Sequence, residues 1–397
     1  MPQLSSRAVA FPSSPIRKLA ASADAAKKRG ARVFHLNIGQ PDIETPPEFF
    51  RAIEHASLKV LEYSPSPGIP GLRQAIADYY QRLGYPVDSS QVIVTTGASE
   101  AIGFAFSAVL NPADEVIVPE PYYANYSAFA LHIDAQIVPI ATSIEQSFAL
   151  PDVDAFRAKI TPRTKAIMIC NPGNPTGVLY PRESLEKLKQ VCREHDLYLI
   201  SDEVYREFTY DGLKHHSVLG LSDLDNHTIV VDSISKRFSA CGARIGCVIT
   251  RNESLLGAFN KFAQARLSPP TLGQIGAQAV YQLPATYYEQ VNREYAARRD
   301  TLKAALNAMP GVVCPEINGA FYAMVGLPIS DADHFCKWIL DEFQHDGQTV
   351  MMAPGPGFYA TPNAGRNQVR LAYVLQQADL KTAMSVLEHA LAKYPNK

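Results

Sequence analysis

The stretch Ser233-Ile234-Ser235-Lys236-Arg237-Phe238-Ser239-Ala240-Cys241-Gly242-Ala243-Arg244-Ile245-Gly246 decides how the rest of the chain is read. It follows Thr228 to Asp232, an apolar run that reads as a buried strand. A lysine between serines at a strand end, with an arginine eight residues on, combines two chemistries. The amine of Lys236 can form a Schiff base with an aldehyde, and Ser233, Ser235 and Arg244 can all ligate a phosphate. A cofactor that carries both groups is pyridoxal phosphate. A solvated Lys-Arg turn is the competing reading, and this stretch alone does not exclude it.

Working outward, residues 91 to 250 alternate strands with helices. Apolar or β-branched runs recur at 91–96, 115–119, 135–140, 165–170, 197–201, 228–233 and 244–250. Several are apolar at consecutive positions, as burial on both faces requires. Helical stretches such as 99–110, 122–131 and 182–195 lie between them. This predicts an α/β fold around a mostly parallel, seven-stranded sheet, with ligand-binding loops beyond the carboxyl ends of the strands. A large cofactor-binding domain is expected over 48–290. A smaller α+β domain is expected over 291–397, and residues 1–47 are read as an arm plus part of that smaller domain. Helices are expected at 16–28, 48–61 and 72–83, and a helical region over 253–308 is broken at Ser268-Pro269-Pro270.

Four strand-end loops suit the same cofactor. Thr95-Thr96-Gly97-Ala98-Ser99 is a glycine turn opening a helix, whose free N–H groups can cradle a phosphate. Tyr123 could stack on a pyridine ring. Asn171-Pro172-Gly173-Asn174-Pro175-Thr176-Gly177 is a stiff loop that aims the Asn174 amide. Asp202, ending an apolar strand, needs a partner such as a pyridinium nitrogen, unless it simply caps a following helix. Tyr205 could reach the ring hydroxyl.

Taken together and in this order, the Gly97-Ala98-Ser99 turn, NPGNPTG (171–177), SDEVY (201–205) and the Lys236 stretch resemble the class I/II aminotransferases. These are pyridoxal-phosphate enzymes of fold type I, and the likeness is to the aspartate aminotransferases among them. LNIGQPD (36–42), YSPSPGIPGLR (63–73) and Val369-Arg370-Leu371-Ala372-Tyr373 extend the resemblance over essentially the whole chain. It implies Lys236 as the Schiff-base lysine and proton shuttle, and Asp202 as partner of the ring nitrogen. Asn174 and Tyr205 become donors to the ring oxygen, and Tyr123 the stacking ring. The phosphate site falls to Gly97, Ala98, Ser99, Ser233, Ser235 and Arg244. Tyr63 corresponds to a tyrosine that reaches the neighbouring subunit's phosphate, so a homodimer is implied. Arg370, with the Gly39 backbone nearby, corresponds to the fork for the substrate α-carboxylate.

The implied reaction moves an amino group from an L-amino acid, aspartate-type favoured, to a 2-oxo acid such as 2-oxoglutarate. Aromatic or neutral donors, and C–S lysis on the same fold, are the alternatives. For a second, distal carboxylate the expected cation is Arg266, in a stretch that corresponds to a loop which in the family reaches the partner subunit's site; Arg17 and Lys18 of the N-terminal arm are further candidates. DNA-binding regulators that carry an aminotransferase-like domain are a rival class. No helix-turn-helix precedes the resemblance, and no basic patch is evident.

The totals agree with a small-molecule enzyme. At 397 residues the chain can form about two domains. Hydrophobic residues make up 47% and charged residues 19%, and the net charge of −2 gives no case for nucleic acid or an anionic membrane as partner. No apolar run is long enough to span a bilayer. The six cysteines form no C-x-x-C pair, so no metal site is expected and a reducing cytoplasm is the simpler setting. The basic N-terminal 30 residues faintly resemble a transit peptide, but an arm packed on the protein is the expectation.

Overall fold

The computed structural model describes residues 2–395. Twelve strands are assigned among them. They are β1 (Arg32–His35), β2 (Val92–Thr95), β3 (Glu115–Glu120), β4 (Gln136–Ala141), β5 (Thr164–Cys170) and β6 (Tyr198–Asp202). Then follow β7 (Thr228–Ser233), β8 (Gly246–Ile249), β9 (Tyr322–Gly326), β10 (Gln348–Met351), β11 (Ala353–Pro354) and β12 (Gln368–Ala372).

Seven of them form one sheet in the order β2-β8-β7-β6-β5-β3-β4, parallel except where β8 pairs antiparallel with β2 and β7. The consecutive apolar residues of its strands feed two cores, one on each face. Ile167 and Ile169 of β5, Leu199 of β6 and Val230 of β7 join one core. Ala166 and Met168, Ile200, and Ile229 and Val231 join the other. Helices Gly97–Val109 and Glu253–Arg266 cover the second face, and Pro70–Arg82 and Arg182–His195 the first. The alternating period of a strand therefore serves two helix layers at once.

A third core holds Leu19, Phe34 and Leu36 together with Tyr295, Phe335, Val350, Leu371 and Leu387. It lies around two smaller sheets. β9, β11 and β12 pair antiparallel in the order β11-β12-β9, and β1 pairs parallel with β10, joining residues more than 300 positions apart.

Most expected elements are present, with shifted ends. Helix Arg182–His195 has the expected bounds. The 48–61 helix is Pro47–Glu54 and stops early: Leu58, Val60 and Leu61 beyond it are exposed and find no core to pack on in this chain. The 16–28 helix begins at Ala20, and the preceding arm packs through buried Pro15 and Leu19. The 253–308 region is three helices, Glu253–Arg266, Thr271–Val280 and Ala285–Ala308, divided at Ser268 to Pro270 and again before Pro284. Val313 and Gly326 meet in a single antiparallel bridge beside the three-stranded sheet. No helix among the described residues is long and apolar enough to cross a membrane.

Candidate active site

The register of the large sheet brings the five loops to one edge. Cys170 at the end of β5 is level with Asp202 at the end of β6. Gly246 at the start of antiparallel β8 lies between Ser233 of β7 and Thr95 of β2. The segments 96–99, 171–177, 203–205, 234–236 and 242–244 therefore leave the sheet together. With the N-terminal segment 38–40 and β12, they enclose a cavity of about 670 Å³.

Lys236 follows β7 on a single turn of helix, Ile234–Arg237. Ser233 caps that turn: its Oγ accepts from the Ser235 N–H at 3.1 Å and donates to the Ile245 carbonyl at 2.8 Å. The next side chain, Arg237, is turned into the core, where its guanidinium grips both carboxylate oxygens of buried Asp232. With its neighbours anchored in this way, Lys236 faces the cavity, and Nζ donates to the Gly39 carbonyl at 2.8 Å. The Cys241 thiol is 3.8 Å from the same nitrogen. A solvated surface turn is excluded, because Ser233 and Ser235 are buried.

Asp202 is buried and lines the cavity. It caps no helix; the residues after β6 are turns. Its carboxylate accepts from the Tyr126 hydroxyl at 2.7 Å and from the Val204 N–H at 3.4 Å. Burial pushes the carboxyl up to about 6, against the Tyr126 and Val204 hydrogen bonds that hold it down. Asn174 Nδ2 lies 3.5 Å from the Tyr205 hydroxyl, which is 3.0 Å from that of Tyr322. Burial lifts Tyr205 well above the ordinary phenol range, so at neutral pH it remains a hydrogen-bond donor. Tyr123, pushed up to about 12 by burial, lines the cavity and accepts from Asn125.

Arg370, on β12, is only 1% exposed. It donates through Nη1 to Asn174 Oδ1 at 3.0 Å and through Nη2 to the Asn37 carbonyl. Its Nε has no partner among the described residues, and its guanidinium rests 4.5 Å from the centre of the Tyr322 ring. A buried guanidinium with an unpartnered N–H and no carboxylate beside it is poised for an incoming anion.

Arg244 also lines the cavity, in a left-handed conformation with φ of +53°, and donates to the Cys241 carbonyl at 3.0 Å. Gly97 is confined twice: its φ is +74°, and a Cβ there would lie 2.4 Å from the Arg244 guanidinium. Gly39 is confined by approach alone, since its Cβ would collide with the Tyr322 hydroxyl.

The cavity thus brings together Gly39, Ala98, Ser99, Tyr123, Asn174, Asp202, Tyr205, Ser233, Ser235, Lys236, Arg244 and Arg370. Three expected residues lie elsewhere in this chain, one of them Lys18, which is ion-paired with Asp333. Tyr63, 77% exposed, and Arg266 share a separate surface hollow with Thr96, Pro269 and Pro270. Arg266 Nη2 donates to the Ser66 and Val94 carbonyls at 3.2 and 3.1 Å, and its Nε is 3.6 Å from Glu100. Three contributors were not read from the sequence: Tyr126, Tyr322 and Asn37. Tyr126 stands one helical turn from Tyr123, a signal that could have found it. Tyr322 meets Tyr205 across 117 positions of chain, and nothing local marks it.

Residues 31–387 match the family model described as aminotransferase class I and II. The chain belongs to the class I and II aminotransferases. It is 32% identical to the aspartate aminotransferase of Bacillus subtilis, with 98% of each chain covered. Among solved structures, this aminotransferase resembles the aspartate aminotransferase of Thermus thermophilus with maleate, at a TM-score of 0.88 and 32% identity, covering 98% of this chain and all of the other. The alanine aminotransferase of Pyrococcus furiosus is similar at a TM-score of 0.89 and 30% identity, again over 98% of this chain and all of the other. The fold is therefore fold type I and the enzyme a transaminase. The family implies pyridoxal phosphate as its cofactor and amino and 2-oxo acids as its substrates.

Proposed function

We propose that this aminotransferase moves the amino group of an aspartate-type amino acid to a 2-oxo acid such as 2-oxoglutarate, using pyridoxal phosphate held in the Lys236 cavity. One observation carries the reading: a single cavity gathers a lysine side chain, a buried carboxylate and a buried, half-satisfied guanidinium in Lys236, Asp202 and Arg370. The residues fit the cofactor. Buried Asp202 has no cation within hydrogen-bond reach among the described residues and suits a protonated ring nitrogen. Ser99, Ser235, Arg244 and the N–H groups after Gly97 form a concave donor set for a phosphate, with Ser233 bracing Ser235 and the site kept open by the absence of a Gly97 side chain. Asn174 and Tyr205 supply donors for the ring oxygen, and Tyr123 a ring to stack.

When bound, the cofactor supplies an aldehyde for the amino group and a ring that accepts the electron pair left by the α-proton. The chain's own residues do the rest. Arg370, beside Asn174, binds the substrate α-carboxylate and fixes the direction of its Cα–H bond. Lys236 holds and moves the proton at that carbon. Its anchoring between capped Ser233 and the Asp232–Arg237 pair keeps Nζ in place for the transfer.

A homodimer fits the surface. Leu61 and Tyr63 line the hollow that holds Arg266, and Leu58, Val60 and Leu267, their near neighbours in sequence or that of Arg266, are exposed as well, as an apolar face covered by a second copy would require. We further take 48–290 as the large cofactor-binding domain and 291–397, with part of 1–47, as the small one. The location we propose is cytoplasmic.

The test is a panel of amino donors with 2-oxoglutarate, reading glutamate and the new 2-oxo acid. Aspartate is expected to lead. Release of pyruvate and ammonia without amino transfer would instead establish a lyase, and a neutral or aromatic donor in first place would overturn the aspartate assignment.

A further inference from the structure

Four cations line the Lys236 cavity: Arg17, Lys236, Arg244 and Arg370. Asp202 is the one acid among its lining residues. Three of the cations have tasks in the reading above, with the aldehyde, the phosphate and the α-carboxylate. Arg17 has none. It is exposed, while its neighbour Lys18 is ion-paired with Asp333. No carboxylate among the described residues pairs with Arg17.

Its backbone is nevertheless firmly held. Pro15 and Leu19, two residues to either side, are buried. The Ile16 carbonyl accepts from Asn37 Nδ2 at 2.8 Å, and the Asn37 carbonyl in turn accepts from Arg370. The Arg17 N–H donates to the Ser14 carbonyl at 3.2 Å, and its own carbonyl accepts from Ala20 at 3.0 Å. The arm is thus bolted to the same asparagine that positions Arg370. Arg17 therefore lines the same cavity as Arg370 as an unneutralised charge on an ordered turn.

Arg266 contrasts with it at each point. It lies in another hollow, it faces Glu100, and one of its nitrogens is occupied by two backbone carbonyls. Nε and Nη1 of Arg266 make no hydrogen bond among the described residues, but the Glu100 carboxylate beside them offsets the charge, whereas Arg17 has no such neighbour.

We propose that Arg17 is the residue that selects a distal carboxylate, so that dicarboxylic donors and acceptors are recognised by Arg370 at one end and Arg17 at the other. This rests on the dicarboxylate reading of the substrate given above. An exposed cation is screened by solvent, so its contribution is modest in size but specific in kind.

The experiment compares the wild-type holoenzyme with Arg17→Ala, Arg17→Lys and Arg266→Ala. It measures kcat/KM for aspartate and for alanine, and the binding of maleate and of propionate through the shift each causes in the bound cofactor's visible absorption. For Arg17→Ala we expect the aspartate kcat/KM and the maleate affinity to fall on the order of tenfold, with alanine and propionate changed less than about twofold. Arg17→Lys should restore part of the loss, since the point charge remains without the fork. Equal effects on all four ligands, no effect on any, or the selective loss appearing in Arg266→Ala instead would overturn the role of Arg17. If the wild type itself prefers neither aspartate to alanine nor maleate to propionate, the dicarboxylate reading falls, and Arg17 falls with it.

Discussion

Replacing Asp202 by asparagine separates two properties of one carboxylate, and its sign can be worked out from burial. In the cofactor-free protein Asp202 is raised from its ordinary 3.8 to about 6, chiefly by burial. Between those values the native state holds a proton that the unfolded chain has lost. Stability therefore falls as pH rises through the window, and the loss is complete above about pH 6 to 7. A rise of about two units corresponds to about 3 kcal/mol at neutral pH. Asparagine has the same shape, can still accept from Tyr126, and removes this loss. Cofactor-free Asp202→Asn should therefore gain stability relative to wild type as pH rises, by about 3 kcal/mol from pH 3 to pH 7, with somewhat under half of the gain above pH 5. Glu203, also raised by burial to about 7, is present in both proteins and cancels to first order. The assay is urea unfolding of both cofactor-free proteins at one protomer concentration from pH 5 to pH 8. Loaded with pyridoxal phosphate the order reverses in function: the variant loses turnover by orders of magnitude, because an amide cannot hold a ring nitrogen protonated. A stability difference that does not change with pH, or that favours wild type as pH rises, would refute the placement of Asp202 as a buried carboxylate awaiting a cation.

Two further substitutions probe the two ends of the cavity. Arg370→Lys should raise KM for every α-amino acid at least about tenfold, since an ammonium cannot reproduce the paired hydrogen bonds of a guanidinium, and steady-state kinetics with aspartate and alanine will read it. Gly97→Ala should cost about 1–2 kcal/mol in backbone strain alone and, by pushing Arg244 aside, weaken pyridoxal phosphate binding; thermal unfolding and a cofactor titration measure the two effects separately.

The legibility of the sequence follows the range of the interactions involved. β3, β5, β6 and β7 were readable because burial on both faces demands consecutive apolar residues, and the demand is local. Helix Arg182–His195 was readable to its ends because its apolar spacing stops at a left-handed Asp196. The loop residues around Lys236, Asp202 and Asn174 were readable because they sit at the ends of those strands. What the sequence hid is non-local: the pairing of β1 with β10, the Tyr205–Tyr322 contact and the hydroxyl of Tyr126 on Asp202. The overlong helix at 48–61 has the same origin. Leu58, Val60 and Leu61 carry a core-like pattern but lie exposed in the single chain. Arg266 and Arg17 were both readable as candidate cations, but position in the sequence does not reveal that Arg266 sits beside Glu100 in a hollow of its own while Arg17 lines the Lys236 cavity.

The central claim is that Lys236 is the amine that engages the cofactor. The most direct measurement is borohydride reduction of the protein loaded with pyridoxal phosphate, followed by peptide mass spectrometry. The account predicts one stoichiometric phosphopyridoxyl adduct, on the peptide that contains Lys236, and its absence in Lys236→Ala even though that variant still binds the cofactor. An adduct on another lysine, or a Lys236→Ala protein that keeps its transaminase turnover, would contradict it.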